Sequence, residues 1–319
     1  MNKIMDRIGE IGVVPVVKIE DAKNALPLGK ALLAGELPVA EITFRTGAAE
    51  ETIKRLNKEL PGLLVGAGTV LTVEQVKRAR GAGAGFIVSP GFNPEVVDYC
   101  LENSIPVTPG INSPTQIEMA LKRGIKVVKF FPAEASGGLP LLKAMSAPYG
   151  DLKFIPTGGI NRDNILKYLN FEKVHACGGS WMVKASLISS GNFGEITRLA
   201  REAVSTVLGF SFAHLGINRP DREEALKTAE MLKRFFFMEE KEGNSSFFAG
   251  NSFEITKSRF PGTHGHIAVA VNSIPRAVAY LKRKGINILE ETKKEKNGKI
   301  VAVYLDIDLA GFAVHLLEK

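Results

Sequence analysis

The feature that most limits what this 319-residue chain can fold into is an alternation. Short runs of β-branched, aromatic and small apolar residues recur roughly every two dozen residues through the first two thirds, with amphipathic segments between them. There are eight such runs: V-V-P-V-V-K-I from Val13, V-A-E-I-T-F from Val39, L-L-V-G-A-G-T from Leu63, G-F-I-V-S-P from Gly85, I-P-V-T-P-G from Ile105, V-V-K-F-F-P from Val127, K-F-I-P-T-G from Lys153 and V-H-A-C-G-G-S from Val174. Intervening segments such as A-E-E-T-I-K-R-L-N-K-E-L and T-V-E-Q-V-K-R-A-R begin near an N-cap or an acidic first turn, as helices do. Strand, helix, strand repeated eight times predicts an α/β TIM-type (β/α)8 barrel over residues 1–207. An open doubly wound sheet is the alternative; eight regular units and the lack of an early G-x-G-x-x-G speak against it.

Strands of such a barrel are covered on both faces, so a charge within one needs a reason. In V-A-E-I-T-F-R the two-residue period sets Glu41, Thr43 and Arg45 on one face and Ala40, Ile42 and Phe44 on the other. In V-V-K-F-F-P it groups Val127, Lys129 and Phe131. Both runs are even-numbered, and alternate strands fill the same interior layers, so Lys129 and Glu41 are expected to meet. Lys129 snorkelling to solvent is one alternative, and a structural ion pair is another. An ion pair is a poor source of stability in a core, whereas a desolvated amine beside a carboxylate is a nucleophile with a proton shuttle, suited to Schiff-base chemistry on a ketone.

The run ends supply a second clue. The seventh ends in P-T-G-G-I and the eighth in C-G-G-S-W, where glycines let backbone N–H groups approach an anion. Thr157, Gly158, Gly159, Gly179 and Ser180 form the candidate phosphate cradle; tight turns needing glycine are the plainer reading of each pair taken alone. Thr69 at the end of the third run and Arg45 at the end of the second suit a carboxylate. The implied ligand is a keto acid with a phosphate at its far end.

Through E-I-T-F-R-T, V-G-A-G-T-V-L, I-V-S-P-G, V-K-F-F-P-A-E, P-T-G-G-I and G-G-S-W, residues 13 to about 205 resemble the 2-keto-3-deoxy-6-phosphogluconate / 4-hydroxy-2-oxoglutarate aldolase family. The resemblance implies a class I lyase releasing pyruvate, with glyceraldehyde 3-phosphate or glyoxylate as the aldehyde and no cofactor. It implies Lys129 as Schiff-base lysine, Glu41 as general acid/base, Arg45 and Thr69 on the pyruvyl carboxylate, Pro90 and Phe131 shaping the pocket, and the cradle residues on phosphate. It also implies a homotrimer. Two alternatives stay open: an aldolase for the galactonate epimer, and a non-catalytic sensor of a phosphosugar acid, against which intact Lys129 and Glu41 argue.

Charge adds little to this and removes other classes. Of the net charge of +7, +3 lies from Gly209 onward (17 Lys+Arg against 14 Asp+Glu) and +4 before it, with no basic run interleaved with aromatics. Nucleic acid is therefore not an expected partner. No run reaches the length of a membrane span and the N-terminus lacks the regions of a signal peptide, so neither a membrane nor export is expected. Two cysteines far apart, Cys100 and Cys177, fit a cytoplasmic setting.

Past residue 207 the rhythm changes, and four of the five histidines lie there. An internal repeat relates A-H-L-G-I-N-R-P to G-H-I-A-V-A-V-N-S-I-P, each followed by an amphipathic helix, and G-N-S-F-E-I to G-F-A-V-H-L. The reading is a smaller α+β domain, 208–319, of two βαβββ modules. It resembles the vicinal oxygen chelate superfamily of glyoxalase and bleomycin-resistance proteins. That resemblance implies metal ligands at His214, Glu254, His266 and His315, suited to Zn²⁺, Ni²⁺, Fe²⁺ or Mn²⁺; His315 departs from the glutamate usual in its place. His264 reads as a loop residue, and a metal-free binding domain is the alternative.

Overall fold

The computed structural model describes residues 3–319. The chain divides into two compact units, Met1–Val207 and Leu208–Lys319.

In the first unit the strands are β1 (Val13–Val17), β2 (Val39–Thr43), β3 (Leu64–Gly68), β4 (Ile87–Val88), β5 (Val107–Thr108), β6 (Gly110–Ile111), β7 (Val127–Phe130), β8 (Lys153–Pro156) and β9 (Cys177–Gly179). Every pairing among them is parallel, in the orders β5-β4-β3-β2-β1-β9 and β6-β7-β8. Single parallel bridges, Phe154 to Val174 and Thr157 to Gly178, link the β8 run to the β9 run. Strands β5 and β6 are one expected run divided at Pro109, which has no N–H to give to a ladder. The eighth expected run joins as a strand only from Cys177; Val174 contributes a lone bridge.

The helices between them are α2 (Ala25–Ala34), α3 (Ala49–Glu59), α4 (Val73–Gly81), α5 (Pro94–Glu102), α6 (Pro114–Lys122), α7 (Gly138–Ser146), α8 (Ile165–Leu169), α9 (Ala185–Ser189) and α10 (Phe193–Leu208). Their starts follow the chemistry of the chain: Thr72 and Ser113 each accept a hydrogen bond from the backbone N–H three residues on, and Pro94 and Pro114 open their helices, where a missing N–H costs nothing. A helix ahead of β1, α1 (Lys3–Ile11), buries Met5, Ile8 and Ile11 on one stripe, and His175 Nε2 lies 2.7 Å from the Met5 carbonyl oxygen. Among the described residues no helix is long and apolar enough to cross a membrane.

The second unit runs β10 (Ser211–Asn218), α11 (Arg222–Phe236), β11 (Glu240–Glu242), β12 (Ser246–Ala249), β13 (Phe253–Thr256), then β14 (Gly265–Val271), α12 (Ile274–Arg283), β15 (Lys294–Lys296), β16 (Lys299–Leu309) and β17 (Phe312–Glu318). All eight strands form one sheet in the order β11-β12-β13-β10-β14-β17-β16-β15. Read from either edge the order is the same once each strand is exchanged for its counterpart four places on. The register repeats too: Gly216 lies beside Glu254 in one half and Ala268 beside His315 in the other. Each half has its own core, Ala225, Ala229, Phe247 and Ile255 in the first and Val271, Ile274, Val303, Val314 and Leu316 in the second.

Candidate active site and a histidine cluster

Alternation along β2 and β7 turns Glu41 and Lys129 inward. Glu41 is 4% exposed and Lys129 6%, and Lys129 Nζ lies 3.4 Å from Glu41 Oε1. The lysine does not snorkel. A cavity of about 10 Å³ beside the pair is walled by Ile8, Val14, Phe86, Val88, Thr108, Ile155 and Thr157, so apolar side chains set most of the surroundings. Phe131 lies under the amine, 5.2 Å from Nζ to ring centre.

Room for the carboxylate comes from a residue that sequence reasoning passed over. Gly68 pairs beside Thr43 in the ladder, and a methyl there would sit 2.1 Å from Glu41 Oε1. Gly110 does the same for Pro90, whose carbonyl oxygen lies where the glycine has no side chain.

At the strand ends, Arg45 is exposed in the segment after β2 and donates from Nε to Thr43 Oγ1 at 3.2 Å, while Thr43 Oγ1 donates to the Val17 carbonyl. Thr69 follows β3 with φ of 55°, a left-handed backbone that aims its hydroxyl differently from a strand residue's. Thr157 is buried at the end of β8 and bridges to Gly178; Gly158 and Gly159 follow at φ 98° and 81°; Gly179 closes β9 and Ser180 is exposed after it. The two glycine turns are thus neighbours, as their run numbers require.

In the second unit His214 on β10, Glu254 on β13, His266 on β14 and His315 on β17 converge. Separations are 3.2 Å between His214 Nε2 and His266 Nε2, 3.1 Å from His214 Nε2 to Glu254 Oε2, and 3.2 Å from His266 Nε2 to the same oxygen. A donor nitrogen of His315 completes a group of three imidazoles whose donor atoms all lie within 4.8 Å of one another. The buried His266 Nδ1 and His315 Nε2 have no hydrogen-bond partner. Burial pushes the Glu254 carboxyl up, but hydrogen bonds from His214, His266 and Ser246 outweigh it and hold it well below the usual range. Burial, then the neighbouring His266 and His214, push His315 down to about 3, so its ring is neutral.

Three further residues shape this cluster. Ser246 Oγ donates to Glu254 Oε1 at 2.6 Å, Tyr304 stacks on His315 at 5.0 Å, and Gly216 leaves space filled by the His266 ring, 2.1 Å from where a methyl would stand. Their signal in the sequence lies in pairing, since Gly216 faces His266 and Tyr304 faces His315 across the ladders, and pairing is invisible before register is known. His264 lies outside the cluster, 5.5 Å from the Phe312 ring.

Parallel strands alternating with helices round an inward lysine and glutamate make the first unit an α/β fold of the aldolase type. The family model for KDPG and KHG aldolases matches residues 4–199, and the chain belongs to that family of aldehyde-lyases. A 2-dehydro-3-deoxy-phosphogluconate aldolase of Treponema pallidum is 47% identical over 207 residues, 65% of this chain and 99% of the relative. A KHG/KDPG aldolase of Escherichia coli is 42% identical over 192 residues, 60% of this chain and 90% of the relative. Among solved structures, KDPG aldolase from Legionella pneumophila, with pyruvate captured at low pH as a covalent carbinolamine intermediate, is 39% identical with a TM-score of 0.61, covering 62% of this chain and 97% of that one.

Proposed function

We infer that the first unit is a class I aldolase that cleaves 2-keto-3-deoxy-6-phosphogluconate to pyruvate and glyceraldehyde 3-phosphate, and 4-hydroxy-2-oxoglutarate to pyruvate and glyoxylate. The observation that carries this is the buried contact of Lys129 Nζ and Glu41 Oε1 at 3.4 Å, on facing positions of β7 and β2. The amine adds to the C2 ketone to give a carbinolamine, which loses water to form the iminium. Glu41 then takes the C4 hydroxyl proton, the C3–C4 bond breaks, and its electron pair passes into the iminium as an enamine. Protonation at C3 and hydrolysis release pyruvate and restore the amine. Arg45 and Thr69 hold the substrate carboxylate; Thr157, Gly158, Gly159, Gly179 and Ser180 hold the phosphate; Pro90 and Phe131 shape the pocket between. A trimer belongs to the same reading, as does a cytoplasmic setting, and only the setting draws support from the two buried free cysteines. Borohydride with pyruvate is expected to label the wild type covalently and to leave Lys129→Ala unlabelled; labelling of that variant at another lysine overturns the assignment.

For the second unit the specific observation is the triangle of donor atoms with edges of 3.1–3.2 Å. Four-coordinate zinc bonded at about 2.0 Å has ligand–ligand edges of about 3.3 Å, so the group fits a divalent ion, and the unpartnered His315 Nε2 supports a fourth corner. The proposed reading is a vicinal-oxygen-chelate-like unit in which His214, Glu254, His266 and His315 hold Zn²⁺, Ni²⁺, Fe²⁺ or Mn²⁺. Such an ion supplies a Lewis acid that polarises a bound oxygen. The chain's own part is to keep the His315 ring neutral and to orient the carboxylate through Ser246. Elemental analysis of the full chain is expected to give one divalent ion per chain, lost in His266→Ala; metal-free protein that takes up none on addition counts against the site.

A further inference from the structure

One pair of residues beside the phosphate turn is used by none of the steps above. Glu134 follows β7, five residues after Lys129. Two backbone hydrogen bonds lay its segment along the T-G-G turn: Ala133 N–H donates to the Thr157 carbonyl at 2.8 Å and Glu134 N–H to the Gly158 carbonyl at 3.0 Å. The Glu134 side chain fills the space where Gly159 has no Cβ, with Cγ 2.5 Å from that position. Its Oε1 accepts a hydrogen bond from the hydroxyl of Tyr168, a residue 2% exposed on α8. Helix α8 is the next element after the turn, and Asn164 Nδ2 ties its start back to the Gly159 carbonyl at 3.0 Å. Burial, then the bond to Glu134, push the phenol well above its usual pKa, so it stays a donor.

We propose that Tyr168 and Glu134 are positioning residues for the phosphate end of the substrate. The phenol anchors the carboxylate to α8, and the carboxylate stem holds the Thr157–Gly159 turn at a fixed distance from the segment that carries Lys129. The pair links the nucleophile strand to the phosphate turn, two places that must keep their separation if a substrate is to reach both. The anchoring oxygen does not itself touch phosphate; it acts through the turn.

This rests on the aldolase reading, whose own failure shows as wild-type protein that pyruvate and borohydride do not label. With labelling established, Tyr168→Phe is expected to raise KM for the phosphorylated six-carbon keto acid about tenfold, the scale of losing one hydrogen bond to a charged group. The pyruvate concentration for half-maximal labelling is expected to stay within about twofold, because pyruvate reaches the amine and the carboxylate-binding residues but has no phosphate. Glu134→Ala is expected to behave as Tyr168→Phe does, and supplies the same measurement if the tyrosine variant fails to fold. Glu134→Gln, which keeps an acceptor for the phenol, is expected to recover most of the affinity. Equal weakening toward both ligands makes the pair merely structural and overturns the proposal. Unchanged KM in both Tyr168→Phe and Glu134→Ala overturns it as well.

Discussion

Lys129 and Glu41 each occupy a place where the surrounding residues leave a polar side chain little else to touch. One lies over Phe131, and the other fills the space left by Gly68. A methyl at position 68 needs no unusual backbone, yet it would overlap the carboxylate. Gly68→Ala is therefore expected to displace Glu41 by about an ångström and lower kcat about 10²-fold, while pyruvate still forms the borohydride-trapped adduct. Steady-state rates beside labelling yields check this; equal loss of both would show that the whole strand had moved. The two charged residues were legible in the sequence because a charge interrupts an apolar run. Gly68 was not, because a missing side chain has no period and its purpose appears only when the neighbouring strand is in register. The same holds for Gly216 under the His266 ring. Tyr168 and Glu134 are hidden for a different reason, being 34 residues apart, one on a short helix and the other at the start of a single 3-10 turn.

At the scale of elements, hydrophobic runs and caps marked where strands and helices lie, and local chemistry moved their ends. Pro109 splits one run because it cannot donate, and the eighth run tightens to Cys177–Gly179. Helix α1 precedes the first apolar run and so stands outside the strand–helix alternation, although Met5, Ile8 and Ile11 recur at helical spacing. The repeat past residue 207 was legible through its paired motifs, while the sheet order that makes the halves equivalent depends on contacts distant in sequence. One helix end is unusual. Helix α11 stops at Phe237, which takes φ of 55° with 90% of the residue exposed. Left-handed backbone costs a branched or bulky residue about 1–2 kcal/mol, partly offset for glycine by its greater freedom when unfolded. Phe237→Gly is expected to stabilise this unit by about 0.5 kcal/mol, read as a higher urea midpoint; a lower midpoint would show that the exposed ring packs in solution.

For the whole molecule, the chain joins an aldolase unit to a second unit built on one continuous sheet. Net charge is spread between the two, +4 before Gly209 and +3 from there on, which suits small anionic ligands. Assembly belongs to this scale. Light scattering is expected to give about three times the 34.5 kDa chain mass, and a mass of one chain counts against the trimer. An assembly of copies is not legible from composition, because interfaces draw on the same apolar residues as cores.

The histidine cluster sits where the two halves of the second sheet meet, with His214 and Glu254 drawn from the first half and His266 and His315 from the second. Neither half alone supplies more than two of the four side chains. Their convergence is therefore a seal on the seam: it forms when the duplicated halves have found their correct register, and a slip of one residue along β10 and β14 would scatter it. A spectroscopic ion bound there would report, from a single point, that two separately built cores have joined as one sheet.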